Sequence, residues 1–423
     1  MKMVNKNMCI IDSANSDVVN ACFVIEKCEV CGSKELKTVL NLGMHPLCDD
    51  LVPVNNVAQC PKFPIEILYC SECDTAHQKY QVPKVQLFPR TYHYRSRFTK
   101  DVLSGMADLV DSIESQYGSL AGRTVLDIGC NDGSLLDLFA SRGAKTIGVE
   151  PTAASFDAEG KGHFVVNDFF SEKTACNILQ SYPCIDIITF TNVFAHIEDL
   201  ASLLKALTLL VSENTIIVIE NHYLGAVLEK NQFDTFYHEH PRTYTLHSFI
   251  EIAQNLSCEV VGFEFPKRYG GNIRVIIGKA GSATSDIATR INSVVVQESK
   301  FFEKFENLRL SLDEWKVKKN DEVRALIKHH GKICAKAFPG RAAILVELLG
   351  LSENEIECVY EKPGSLKIGH YLPGTRIPIR SDEELFERFD KISVLLNLAW
   401  HIPLEVELYL RNHGYKGQIV HIA

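Results

Sequence analysis

Short apolar runs alternate with helical spacings along most of this chain. Val125, Leu126 and Ile128 form a run that stops at Gly129, and Leu135, Leu136, Leu138 and Phe139 follow at helical spacing. Further short runs lie at 146–151, 165–169, 186–198 and 215–220, with an apolar helix from Leu200 to Leu210 before the last. Strands that read as near-continuous apolar runs and alternate with helices predict an α/β fold. The sheet is expected to be mostly parallel, doubly wound and covered by helices on both faces. This pattern holds from about Asp101 to Ala280. From Ile287 to about Gly331 the chain is charged and helical, with Phe301, Phe302, Phe305 and Leu308 expected in a core. Apolar runs at 342–350, 356–360, 392–396 and 419–422 then predict a second, smaller doubly wound domain. The stretch from Met1 to Ala21 is polar and irregular and reads as a fraying terminus. These shifts divide the chain into a flexible N-terminus (1–22), a turn-rich module (23–86), a central domain with its connector (87–280), and a helical linker with a C-terminal Rossmann-like domain (281–423).

Composition changes this picture little. A length of 423 residues suits two or three domains, and 46% hydrophobic with 23% charged residues is that of a soluble globular protein. A net charge of −9 argues against general binding to nucleic acid or an anionic membrane, and no apolar run is long enough to span a bilayer. No basic stretch followed by a hydrophobic core marks a secretory signal, so the expected compartment is cytoplasmic, with reduced thiols.

Chemistry is concentrated in a few places. Cys28 and Cys31 form one CxxC pair and Cys70 and Cys73 another, at zinc-ribbon-like spacing. Four thiolates complete a tetrahedral zinc site and leave no open position, so the metal is expected to be structural; Cys48 and Cys60 are the alternative ligands between the knuckles. After this module comes an aromatic connector in which Tyr92 and Tyr94 are placed to reach a substrate, or simply to pack.

The turn Gly129-Cys130-Asn131-Asp132-Gly133 lacks the dinucleotide pattern GxGxxG and is acidic, with Asp127 just before it. Carboxylates suit a cationic ligand better than a pyrophosphate. S-adenosylmethionine, with its sulfonium and amino group, fits that requirement. Glu150, at the end of the next strand, is positioned to accept both ribose hydroxyls; Asn167 and Asp168 follow a third strand, near an adenine edge, and Asn192 ends a fourth. In this order the pieces resemble a class I S-adenosylmethionine-dependent methyltransferase.

The segment from Phe233 to Tyr244 holds Asp234, Tyr237, His238, Glu239 and His240. Its spacing is not that of two histidines on one helical face, so a general acid–base cluster fits better than a metal site. Asn272 and Arg274 follow a glycine turn, with Arg274 expected to be available to an anionic substrate group.

Taken together, the paired CxxC motifs, the glycine turn, 192–197, the Tyr237-His238-Glu239-His240 block, 270–274, 371–379 and 398–400 make the chain similar, from about Cys28 onward, to the bacterial nucleotide-sugar C-methyltransferases, the family of the tetronitrose 3-C-methyltransferase. The resemblance implies a zinc-binding N-terminal domain, a methyltransferase domain and a C-terminal Rossmann-like domain. It also implies a TDP- or GDP-linked 4-keto-deoxysugar substrate, whose nucleotide lies toward the C-terminal domain. His240 matches the family's base for the C3 proton, Glu239 and Tyr237 match groups that assist it or contact the sugar, and His238 is expected to be structural. A monomer or weak homo-oligomer, without nucleic-acid or membrane partners, is expected. The chain departs from the family at 336–342, 361–364 and 399–401, all in the C-terminal domain. Methylation of a sugar oxygen or nitrogen is the alternative activity.

Overall fold

A computed structural model describes residues 7–11, 20–89, 94–98 and 100–423. The central domain is built on seven strands: β1 (Thr124–Ile128), β2 (Lys145–Val149), β3 (Phe164–Val166), β4 (Ile187–Thr191), β5 (Ile216–His222), β6 (Cys258–Glu264) and β7 (Asn272–Lys279). Their spatial order is β6-β7-β5-β4-β1-β2-β3, with β7 antiparallel to both its neighbours and the others parallel. This is the class I methyltransferase sheet. All five residues of β1 are buried, which explains why its run is apolar on both faces. Strand order reverses between β1 and β4, and the crevice beyond their carboxyl ends is where such a sheet takes a ligand.

Helices cover both faces. Lys100–Tyr117 buries Val102, Met106, Leu109, Val110 and Ile113 on one stripe, as a helix packed on a sheet must. Leu200–Leu210 starts at Asp199, whose side chain accepts from the Ser202 amide. Leu246–Asn255 starts with a capping box between Thr245 and Ser248. Among the described residues no helix is long and apolar enough to cross a membrane.

The C-terminal domain is a five-stranded parallel sheet of β8 (Ile333–Lys336), β9 (Ile356–Glu361), β10 (Ile379–Ser381), β11 (Val394–Asn397) and β12 (Gln418–His421), in the order β10-β9-β8-β11-β12. Its first strand is the run before the one that opens the domain in the sequence reading: Ala342–Leu348 is a helix. The charged linker is two helices, Ser285–Glu298 and Phe301–His330. Phe301, Phe305 and Leu308 are buried as expected, but Phe302 is 41% exposed. It falls one position off the apolar stripe, and the Lys37 ammonium lies 4.9 Å from its ring centroid.

The N-terminal module holds a sheet of Leu36–Pro46, Lys62–Cys70 and Thr75–Gln78, joined by Arg242–Thr243 from the central domain. The expectation of an irregular terminus is corrected in part: Asn7–Ile11 and Asn20–Val24 pair as antiparallel strands, and the second is completed by Tyr80–Gln81. The Pro- and Gly-rich loop at 369–379 clasps the N-terminal module. Arg376 donates to the carbonyls of Asn56, Val57 and Ala58 at 2.6–2.7 Å.

Candidate active site

The glycine turn closes the carboxyl end of β1. Gly129 has φ 76°, and a Cβ there would meet Val193 Cγ2 at 2.6 Å; the left-handed conformation and the loop after β4 both require glycine. The Cys130 side chain points beneath the turn into a small core with Leu136 and Ala158, so only its backbone faces the crevice. Asp127 is buried in the sheet and accepts from Thr189 Oγ1 at 2.7 Å. Burial raises its pKa to about 7.

Asn131 and Asp132 correct the expectation of an acidic turn aimed at a cation. Asp132 is fully enclosed; it accepts from Ser134 Oγ at 2.6 Å and from the Arg97 amide at 3.0 Å. Asn131 accepts from the Ser96 amide at 3.0 Å and donates to the Tyr94 carbonyl at 3.1 Å. Both side chains hold the connector over the turn. Tyr94 therefore reaches the site by its backbone, while its side chain is exposed; Tyr92 lies outside the described residues.

Glu150 sits where expected, buried at the end of β2. Its Oε2 accepts from the Asn131 amide at 3.1 Å, and its Oε1 accepts from the Thr152 amide and hydroxyl at 2.9 and 2.6 Å. Three of roughly four acceptor positions are thus taken, leaving Oε2 room for one ribose hydroxyl where two were expected. Asn167 donates to the Glu150 and Thr152 carbonyls. Beyond it a cavity of about 210 Å³ is lined by Pro151, Asn167, Asp168 and Phe169 on one side and Val85, Phe88 and Pro89 on the other. These residues fit a nucleoside. Replacing Glu150 by alanine is expected to weaken S-adenosylhomocysteine binding by about 10- to 100-fold, from the loss of a charge-assisted hydrogen bond; calorimetry reads this directly, and unchanged affinity would remove Glu150 from the cofactor site.

The histidine block adjoins that cavity: the Phe88 ring on its wall lies 5.4 Å from the His196 ring, centroid to centroid. His240 is buried, and its Nδ1 meets the Thr235 carbonyl at 3.0 Å. A carbonyl only accepts, so Nδ1 carries the proton and Nε2 is the basic nitrogen. Two further imidazoles flank it: the ring centroids of His196 and His222 are 4.9 and 5.1 Å from that of His240, and Tyr237 stands 4.2 Å away on the same measure. Burial holds all three histidines neutral, with His196 and His222 lowered to about 4 and 3. His240 is pushed well down by burial, then by His196 and His222. The Tyr237 hydroxyl is pushed up by burial and by Glu239 and so keeps its proton. His196 Nδ1 donates to the Glu239 carbonyl at 2.7 Å and the ring also meets the Asn192 backbone, linking the cofactor side to the block. His238 Nε2 lies 3.1 Å from the Phe63 carbonyl and is an anchor. Among the described residues, no ligating group of the block joins a metal-binding cluster.

The zinc module fixes this block in place. The Sγ atoms of Cys28, Cys31, Cys70 and Cys73 all lie within 4.8 Å of one another, with edges of 3.4 Å (28–73) and 3.6 Å (31–70). Tetrahedral zinc with bonds of about 2.3 Å needs thiolates at about this separation, so the four residues fit the ion. Cys48 and Cys60 lie outside the cluster. His77 Nε2 is 3.3 Å from Cys28 Sγ and orients that ligand. Glu29, inside the first knuckle, pairs with Arg242. Arg242 is fully buried, also donates to the Ile197 carbonyl and, at 2.9 Å, to the Tyr244 hydroxyl. Arg242 and Thr243 then pair with His77 and Ala76, and the Gln78 amide donates to the Pro241 carbonyl at 2.9 Å. The segment after His240 is thus a strand of the zinc module's sheet.

Two expected substrate contacts are corrected. Arg274 is buried between Glu220 and Glu264, each 2.8 Å away, because β7 runs beside β5 and β6 and the strand register faces it with carboxylates. Asn272 is buried and donates to Glu220 at 3.1 Å and to Asn192 Oδ1 at 3.2 Å. It braces the end of β4. His222 has no signal in the sequence, whereas His196 lies in the matching stretch 192–197, Trp400 in 398–400, and Arg341 and His401 in the departing stretches 336–342 and 399–401, none with a role of its own there. Arg341 lies on Asp234 at 3.0 Å, and Trp400 Nε1 donates to the same oxygen at 2.9 Å. They leave the loops after β8 and β11, at the switch point of the C-terminal sheet.

Three family matches follow one another along the chain: a zinc binding domain over residues 28–88, a methyltransferase domain over 93–262 and a C-methyltransferase C-terminal domain over 267–420. The C-methyltransferase NovU of Streptomyces niveus is 25% identical over 400 residues, covering 92% of this chain and 94% of that protein. The ubiquinone biosynthesis O-methyltransferase of Acinetobacter baumannii (strain AYE) is 33% identical over 104 residues, 23% of this chain and 44% of that protein. Among solved structures, magnesium protoporphyrin IX methyltransferase (ChlM) from Synechocystis PCC 6803 with bound SAH is similar at 15% identity and a TM-score of 0.33, covering 43% of this chain and 84% of that one.

Proposed function

Because this chain belongs to the S-adenosylmethionine-dependent C-methyltransferases built from a zinc-binding module, a methyltransferase domain and a C-methyltransferase C-terminal domain, we propose that it methylates C3 of a nucleotide-activated 4-keto-deoxysugar, with His240 as the base. S-adenosylmethionine supplies an electrophilic methyl group, and zinc is structural. The observation that carries the reading is the state of His240: buried, neutral, and locked by Thr235 into the tautomer whose Nε2 is free to take a proton.

A methyl group cannot be placed on a saturated sugar carbon without first removing a proton from it. The carbonyl at C4 acidifies the C3–H, and a neutral imidazole shielded from water is a competent base for that step. Methylating a hydroxyl or amine also releases a proton to a base, but it needs no carbonyl beside the reacting atom and no group that takes a proton from carbon. Tyr237, protonated and beside the His240 ring, and the nearby Glu239 are assigned the steadying of the sugar. The nucleotide, TDP or GDP, is assigned to the interdomain side facing the loops after β8 and β11, in a cytoplasmic monomer or weak homo-oligomer. The test is product analysis. Incubation with ¹³C-methyl-labelled cofactor and a panel of TDP- and GDP-4-keto-6-deoxysugars should give one product whose labelled methyl has the NMR shift of a carbon-bound group. A label at an O-methyl or N-methyl shift would overturn the assignment.

A further inference from the structure

Nothing in the reaction so far uses Arg341, a guanidinium that the C-terminal domain places against Asp234 and Thr235 of the histidine block. We propose that Arg341 is a catalytic residue that binds the C4 oxygen of the sugar and holds the negative charge that gathers there as the C3 proton leaves. This rests on the carbon-acid reading above.

The guanidinium is fixed on three sides. Its Nε lies 3.0 Å from Asp234 Oδ2. Its Nη1 donates to Thr235 Oγ1 at 3.4 Å. Its charge centre is 4.9 Å from the centroid of the Trp400 ring, and that indole is itself tied to Asp234. The side chain is only 12% exposed. Nε faces that carboxylate as an ion pair without an aligned hydrogen bond, and Nη2 is enclosed with no acceptor among the described residues. Enclosed guanidinium hydrogens without an acceptor are costly, and a folded protein keeps them where a ligand will supply one. Arginine suits the task because its charge is permanent and its donors are held in a plane.

Thr235 places this donor relative to the base. Its hydroxyl receives Arg341 and its carbonyl receives His240 Nδ1–H, so the cation and the base hang from the same residue. The charge of Arg341 also contributes to the lowered proton affinity of His222, His401 and His240, as expected for groups that share one enclosed space. In the step itself, the C3 proton passes to His240 Nε2. The electron pair of the C–H bond enters the C3–C4 bond, and the C4 oxygen gains the charge that Nη2–H meets. The pair then returns from C3 to the sulfonium methyl carbon, whose bond to sulfur breaks and leaves S-adenosylhomocysteine.

The experiment is exchange of the C3 proton in D2O with S-adenosylhomocysteine bound and the sugar nucleotide at saturation, using the panel member that the wild-type protein methylates. Arg341→Gln is expected to bind S-adenosylhomocysteine normally and to exchange at least about 100-fold more slowly, the usual loss for an oxyanion donor. The double change Asp234→Asn with Arg341→Gln replaces the buried ion pair by two neutral amides, so no carboxylate is left alone. It is expected to stay equally slow. Recovery in the double variant would make Arg341 a mere partner for Asp234, and a rise in half-saturating substrate with the saturated rate intact would move it to the diphosphate; either overturns the proposal. Arg341→Lys keeps a cation opposite Asp234 and is read if neither neutral variant folds; a wild-type rate there overturns it too. Wild-type protein that exchanges nothing overturns the carbon-acid reading and this one together, whereas wild-type exchange matched by Arg341→Gln overturns this one alone.

Discussion

Cys28→Ser is expected to lose its zinc, unfold at a clearly lower temperature and lose at least about 100-fold in turnover. Structural zinc contributes on the order of 10 kcal/mol to the folding of a small module, and here four thiolates tie 28–31 to 70–73. The loss of turnover follows from what the module holds. Glu29 lies between two ligands and pairs with buried Arg242. His238 is bonded to the Phe63 carbonyl, and Gln78 Nε2 donates to the Tyr237 carbonyl at 3.3 Å. Releasing the knuckle frees both sides of the base. Metal analysis, a thermal melt and a rate measurement on one preparation check this. Glu29→Gln is the companion variant: it keeps the four thiolates but leaves Arg242 buried without its counter-charge, which costs about 3–5 kcal/mol. Full turnover in metal-free protein would show that zinc does not position the block.

His240→Ala is expected to bind S-adenosylmethionine as the wild type does and to lose about 10²- to 10⁴-fold in turnover, the usual contribution of a positioned general base. The split is expected because Glu150, Asn167 and the cavity beside Phe169 do not depend on His240. The pH profile has a definite sign. The base must be unprotonated, so kcat/KM is level above the pKa of His240 and falls as pH drops through it. Burial, His196, His222 and Arg341 hold that pKa well below the ordinary histidine value, and the acid limb should therefore lie well below pH 6.5. A limb at or above that value would show that another group takes the proton.

The parts of this site that could be read from the sequence are the local ones. The glycine turn, Glu150 and the two CxxC pairs each declare themselves within a few residues, because a strand–turn–helix corner and a metal knuckle are set by adjacent positions. Tyr237, His238, Glu239 and His240 stood out for the same reason. What stayed hidden depends on register and on distant partners. Arg274 looked available until Glu220, 54 residues earlier, took it across the β5–β7 pair. Arg242 carries no local signal of its role, because its partner Glu29 is 213 residues away. His196 and His222 end up against His240 only because β4 and β5 are neighbours with parallel register. Trp400 reaches Asp234 across 166 residues and a domain boundary. Asp132 misled for a different reason. Its carboxylate is taken by the neighbouring Ser134 hydroxyl and by the Arg97 amide of the connector, and acidity alone does not tell an organising carboxylate from a ligand-binding one.

The most direct test of the central claim is proton exchange without methyl transfer. With S-adenosylhomocysteine in place of the methyl donor, the wild-type protein in D2O is expected to exchange the C3 proton of one TDP- or GDP-4-keto-6-deoxysugar, and His240→Ala is expected not to. Protein that binds the cofactor yet leaves C3–H untouched in every member of the panel would contradict carbon-acid chemistry at this site.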